Sequence, residues 1–223
     1  MKIAVLGGSF NPLHAGHAML ADTVIKQLGF DKVLFVPAYM PPHKIMSLKI
    51  SAQHRLNMIK EFCAAEGNGF FEAEPCEIER GGISYTSDTL EFLTQKYKNQ
   101  LDGKLAFIMG DEVAAEFNKW HKPEQIAQLA DFIITHRYED VVTGNKSFMN
   151  KPAANYKGDF KEKFTAEKFG HPLIELTEPV LPVSSTDIRN RIAEGKSFRY
   201  LLPASVYEYI VKNNLYKNQE TYD

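Results

Sequence analysis

Residues 3–28 constrain the fold more than any other part of this chain. Ile3-Ala4-Val5-Leu6 is a short apolar run, Gly7-Gly8 follows it, and Ala18, Leu20, Ala21, Val24, Ile25 and Leu28 then recur at helical spacing. Gly29 is a natural helix stop, and Lys32 to Val36 reads as a second buried strand. Strand, glycine turn, helix, strand is a βαβ unit, which closes as a right-handed crossover on a parallel sheet. Between strand and helix lies Ser9-Phe10-Asn11-Pro12-Leu13-His14-Ala15-Gly16-His17. In open parallel sheets, ligands bind at this place, beyond a strand's carboxyl end and against a helix N-terminus. Glycines let backbone approach a ligand, the helix end favours phosphate, and His14 and His17, three apart, share a face on which imidazole nitrogens can donate to phosphate oxygens. The stretch is neither G-x-G-x-x-G nor a P-loop, so redox dinucleotide and Walker-type sites are not matched.

The same alternation continues. A helix is expected from Ser51, its N-cap, to about Ala65; His54 and Arg55 in its first turns either point to the same cleft or, by default, lie on a solvated face. Further strands are expected at Phe70 to Glu74, Lys104 to Met109, Asp131 to Thr135 and Pro172 to Leu176. Glu77 to Gly82, charged and ending in two glycines, reads as a loop, and a helix follows from about Ser87 to Tyr97. Pro123 to Leu129 reads as a short helix, and Pro203 to Asn213 as a C-terminal one. The expected architecture is therefore α/β: an open, doubly wound, mostly parallel sheet of Rossmann-like topology with helices on both faces. Residues 1–223 are expected to form one domain, with 138–171 an insertion or flap and 184–213 a C-terminal helical part.

Four further places draw attention at loop positions. Pro41-Pro42-His43-Lys44 puts two basic residues on a stiff support after the second strand. Asp111-Glu112 follows a strand directly and suits ribose hydroxyls or a helix first turn. Trp120-His121-Lys122-Pro123 places the single tryptophan in a turn, where it either stacks on a flat ligand or packs in the core. Val183-Ser184-Ser185-Thr186-Asp187-Ile188-Arg189 opens a helix with hydroxyls, free N–H groups and a guanidinium at one end, with Ser185 or Thr186 as the expected cap.

Composition narrows the partners. With net charge −2 and pI near 6.4, no global basic balance points to nucleic acid or an anionic membrane, so a phosphate site must be local. Cys63 and Cys76 lack CxxC spacing, which argues against a disulfide framework or zinc knuckle. The N-terminal apolar run is too short for a secretory or spanning segment, and a cytoplasmic protein is expected.

These residues together resemble a known family. His14-Ala15-Gly16-His17 is similar to the His/Thr-x-Gly-His signature of the nucleotidyltransferase superfamily. Gly7 to His17 as a whole resembles the Gly-Gly-Ser/Thr-Phe-Asp-Pro-x-His-x-Gly-His signature of bacterial nicotinate-mononucleotide adenylyltransferases. Pro41 to Lys44, Ser84-Tyr85-Thr86, Trp120-His121-Lys122, Val183 to Arg189 and Tyr200-Leu201-Leu202-Pro203 resemble that family's later motifs in the same order. Two departures stand out: Asn11 where the family has Asp, and Asp111-Glu112 where it has Ala-Asp, so that Glu112 takes the Asp role. The segment after the fifth strand is also longer than is typical.

The resemblance implies transfer of AMP from ATP to nicotinate mononucleotide, giving nicotinate adenine dinucleotide and pyrophosphate. His14, His17 and Arg189 would be the catalytic groups. ATP would meet Gly7, Gly8, Ser9, Phe10, His14, His17, Ser184, Ser185, Thr186 and Arg189, with Mg2+ carried by ATP. The nicotinate nucleotide would meet Ser9, Phe10, His43, Lys44, Thr86, Glu112, Trp120 and His121. Neither nucleic acid nor membrane is an expected partner, and a homo-oligomer is left open. The alternatives are a related adenylyltransferase acting on nicotinamide mononucleotide or pantetheine phosphate, and a nucleotide-binding module without turnover.

Overall fold

The computed structural model describes residues 1–42, 50–137, 164–181 and 183–217. Its centre is a six-stranded sheet in the order β3-β2-β1-β4-β5-β6, every neighbouring pair parallel. The strands are β1 (Ile3–Gly8), β2 (Lys32–Pro37), β3 (Phe71–Ala73), β4 (Leu105–Gly110), β5 (Ala130–Arg137) and β6 (Leu173–Val180). This is the doubly wound order, with its switch point between β1 and β4.

Alternation along the strands decides which helices cover which face. Ala4 and Leu6 of β1, Val33 and Phe35 of β2, and Ala106 and Ile108 of β4 point one way. They pack against α1 (Ala15–Leu28), α2 (Ala52–Glu66), α8 (Ser185–Ala193) and α9 (Ala204–Lys212). Ile3, Val5, Leu34, Val36, Leu105 and Phe107 point the other way, against Leu90 and Leu93 of α4 (Thr86–Tyr97), Ile126 of α6 (Pro123–Leu129) and Phe169 of α7 (Ala166–Phe169). Strands buried on both faces explain why the sequence runs were continuously apolar rather than alternating. Among the described residues two further short α-helices occur, α3 (Cys76–Arg80) and α5 (Asp111–Ala114). Among the described residues no helix is long and apolar enough to cross a membrane.

Local signals held where they were strong. Gly29 ends α1 at φ 67°, in the left-handed region that glycine enters without steric cost. The Ser51 hydroxyl caps α2 by accepting from the His54 N–H at 3.2 Å. Four expectations are corrected. Gly7 and Gly8 belong to β1, in register with Val36 and Pro37, so the turn proper begins at Ser9. Residues 76–80, expected as loop, form a short helix closed by Gly81 at φ 68°. Arg55, expected on a solvated face, has no exposed surface. The cap of α8 is Ser184, whose hydroxyl accepts from the Asp187 N–H at 3.1 Å, not Ser185 or Thr186. His43, Lys44 and the 138–163 part of the expected flap lie outside the described residues.

Candidate active site

The turn joining β1 to α1 is held from behind by its own carbonyls. Arg55 Nη1 donates to the Ser9 carbonyl at 2.8 Å, Arg189 Nη1 to the Asn11 carbonyl at 2.8 Å, and Ser185 Oγ to the Pro12 carbonyl at 2.8 Å. The Tyr216 hydroxyl donates to Asn11 Oδ1 at 2.8 Å. Groups from α2, α8 and the C-terminal segment thus converge on three residues of the turn, Ser9, Asn11 and Pro12. Within the turn, Phe10 sits at φ 46°, a conformation costly for a bulky side chain. Its ring is buried and packs edge-on to His17, with centroids 5.0 Å apart. The Asn11–Pro12 peptide is cis.

His14 and His17 form one unit at the start of α1. Their rings stack with centroids 3.7 Å apart and planes at 22°. The His14 N–H donates to His17 Nδ1 at 3.2 Å. Gly16 keeps this corner close: a Cβ would lie 3.2 Å from the His14 ring and 3.3 Å from the Leu181 carbonyl, so that these neighbours would have to give way by a few tenths of an ångström. Burial pushes the His14 pKa down to about 4. Burial, and then the His14 neighbour, lowers that of His17 well below the usual imidazole range. Both rings are therefore neutral at physiological pH, and a His17 ring that accepts at Nδ1 carries its proton on Nε2. His14 Nδ1 is buried and has no hydrogen-bond partner among the described residues. Two neutral imidazoles at a helix N-terminus can offer a phosphate group dipoles and N–H donors.

The start of α8 closes the same cleft, tied to the turn by Ser185 and Arg189. Arg189 is buried, and its Nη2 also donates to Thr186 Oγ1 at 3.1 Å. Of the residues proposed for polyphosphate, Ser184, Ser185, Thr186 and Arg189 each make an internal hydrogen bond, and together they set a second positive helix end beside the first.

On the other side, Ser84 Oγ accepts from the N–H groups of Tyr39 at 2.9 Å and Met40 at 3.3 Å, holding the segment after β2 against the start of α4. Thr86 is the first residue of α4 and half-buried. Tyr85 and His121 face each other with ring centroids 4.2 Å apart. Trp120 packs edge-on to Phe107 at 6.0 Å and tilted to Phe117 at 5.7 Å, so the core accounts for part of its surface. Beyond β4, the buried carboxylate is Asp111: its Oδ2 meets His136 Nδ1 at 3.0 Å, and His136 Nε2 meets Glu175 at 3.1 Å. Glu112 is half-buried and donates its N–H to Asp111 Oδ1 at 2.7 Å. The reading of the sequence did not single out His136, Glu77 or Tyr216. A histidine at the carboxyl end of β5, between Asp111 just beyond β4 and Glu175 on β6, was the available signal for the first.

Comparisons with known proteins bear on this geometry. The cytidylyltransferase-like family model matches residues 5–191. A curated relative from Treponema pallidum, named probable nicotinate-nucleotide adenylyltransferase, is 37% identical over 98% of this chain and all of its own. One of the same name from Thermoanaerobacter is 34% identical over 99% of this chain and 96% of its own. The nicotinic acid mononucleotide adenylyltransferase of Plasmodium falciparum, solved in complexes with APC and with NaAD, shares the fold. Its TM-scores are 0.69 and 0.70 at 19% and 18% identity, with 98% of both chains covered.

Proposed function

Because the chain belongs to the cytidylyltransferase-like family, and within it to the nicotinate-nucleotide adenylyltransferases, we propose that it joins ATP and nicotinate mononucleotide into nicotinate adenine dinucleotide, releasing pyrophosphate. The observation that carries this reading is the stacked His14–His17 pair at the start of α1, set on a turn that α8 also grips.

The reaction asks little covalent chemistry of the protein. A phosphate oxygen of nicotinate mononucleotide attacks the α-phosphorus of ATP in line, the bond to the β-phosphate oxygen breaks, and pyrophosphate leaves. The nucleophile is already an anion, so no general base is needed; catalysis is positioning and neutralisation of developing charge. His17 Nε2–H donates to a phosphate oxygen. The exposed end of β1 at Gly7 lets the nucleotide lie against backbone. The N-termini of α1 and α8 oppose the charge of the triphosphate, and Mg2+ carried by ATP would neutralise part of that charge, held mainly by phosphate and water oxygens. Lys44 steadies the attacking phosphate, Glu112 meets ribose, and Thr86, Trp120 and His121 frame the pyridine ring.

The test is pyrophosphate release from Mg·ATP with nicotinate mononucleotide, run beside nicotinamide mononucleotide and pantetheine phosphate. Strong preference for the first is expected. Release with none of the three, from folded chain that binds ATP, overturns the assignment.

A further inference from the structure

Two buried charges lie behind the cleft and are not used by the transfer itself. Arg55, on α2, has no exposed surface. Its Nη1 holds the Ser9 carbonyl, while its Nε and Nη2, both sealed from solvent, have no hydrogen-bond partner among the described residues. A guanidinium paired this incompletely in the interior costs folding free energy, so stability alone does not account for it. Burial lowers its pKa, opposed by Tyr216 and by the negative charge of Glu77.

Glu77, on α3, is 7% exposed. It accepts from the Thr89 hydroxyl at 2.7 Å, and the Ser84 hydroxyl stands near enough to favour its charged form. Burial raises its pKa; Thr89, Ser84, Arg80 and Arg55 oppose that rise. Ser84 in turn receives the N–H groups of Tyr39 and Met40, and its own N–H donates to the Met40 carbonyl at 2.8 Å. Met40 also pairs with Ile83 across a single bridge. Each charge therefore supports one loop at a strand's carboxyl end: Arg55 the turn after β1, and Glu77, through Thr89 at the start of α4 next to Ser84, the segment after β2.

We propose that Arg55 and Glu77 are a positioning pair that sets the two loops in register, Arg55 fixing, through Ser9, the turn after β1 that meets ATP at more residues than the mononucleotide, and Glu77 fixing the acceptor-facing segment through Thr89 and the start of α4. Neither touches substrate. The inference rests on the adenylyltransferase reading for which loop meets which nucleotide, and deepens it. It predicts a crossed signature that a merely structural pair does not produce.

The experiment measures equilibrium binding of ATP and of nicotinate mononucleotide separately, by calorimetry on the full chain, with melting temperature recorded beside each. Arg55→Met is expected to weaken ATP binding about tenfold or more with a smaller effect on the mononucleotide. Glu77→Gln, which keeps the shape and removes the charge, is expected to weaken the mononucleotide about fivefold while leaving ATP within about twofold. The double variant should lose less than the product of the two, as coupled neighbours do. Where Arg55→Met does not fold, Arg55→Lys, with one donor for Ser9 and no fork, is expected to show the same preference in weaker form. Folded variants that bind both nucleotides within about twofold of the parent, and only melt earlier, overturn the pairing. Binding is read without turnover, so a parent that binds both nucleotides but releases no pyrophosphate sinks the proposed reaction and leaves this inference to be decided by the same data.

Discussion

The His14 N–H donates to Nδ1 of His17 across one helical turn, and this single bond fixes what His17 offers a ligand. With Nδ1 occupied as acceptor, the neutral ring presents Nε2–H. His17→Ala removes that donor and should lower turnover by about a hundredfold or more, the usual cost of one positioned donor at developing charge. Unchanged kcat in a folded variant would remove His17 from the mechanism.

Acid should weaken the fold through the same pair. His14 titrates near 4 in the folded chain and near 6.5 when unfolded, because burial disfavours its charged form. Between those values the unfolded state binds more protons, so stability falls as pH drops through that window and is fully present above it. His14 alone accounts for a loss on the order of 3 kcal/mol by pH 4. Denaturant midpoints measured from pH 7 to pH 4 should show a steep fall that is shallower in His14→Gln; equal slopes would show that other groups dominate.

The two glycines of β1 should separate binding from stability. A Cβ on Gly7 would meet only the Phe107 ring at 3.7 Å, an ordinary contact, so packing does not demand glycine there. A Cβ on Gly8 would lie 3.2 Å from the Phe10 ring, itself wedged beside His17 and Phe35. Gly8→Ala is expected to cost about 1–2 kcal/mol by overpacking. Gly7→Ala should melt close to the parent, with ATP binding weaker by about tenfold because the new methyl meets the nucleotide. A Gly7→Ala variant of full affinity would place the nucleotide elsewhere.

Legibility in the sequence followed the range of the interaction. The βαβ start, the Gly29 stop and the Ser51 cap rest on residues within a few positions of one another, and all were readable. Arg55 was not: a charged residue in a first helical turn defaults to solvent, and its partner, the Ser9 carbonyl, lies 46 residues away. Three adjacent hydroxyls left the α8 cap ambiguous, since Ser185 is drawn instead to Pro12, 173 residues distant. The five residues of α3 carry too little periodicity to show against their charge and the glycines that end them.

Tyr216 should prove a latch between the C-terminal segment and the nucleotide turn. It is 2% exposed, at φ 67°, with its hydroxyl on Asn11 Oδ1. Tyr216→Phe keeps the packing and removes the donor, at an expected cost of about 1–2 kcal/mol. In a double-mutant cycle with Asn11→Ala, the two losses should overlap rather than add. Strict additivity in melting free energies would show that the bond carries no net energy.

Adjacent carboxylates after β4 are expected to divide structure from binding. Asp111 is consumed by the fold: one oxygen receives the Glu112 N–H and the other meets His136, which also reaches Glu175. Asp111→Ala strips a buried acceptor from both donors and should destabilise by about 1–3 kcal/mol, with KM for nicotinate mononucleotide little changed in the folded fraction. Glu112, half-buried one residue further on, is the carboxylate proposed to meet a ribose. Glu112→Ala should raise that KM about tenfold and leave the melting temperature nearly constant. The reverse pattern, with mononucleotide affinity lost on changing Asp111 and kept on changing Glu112, would hand the ribose to Asp111 and make His136 the group that orients it.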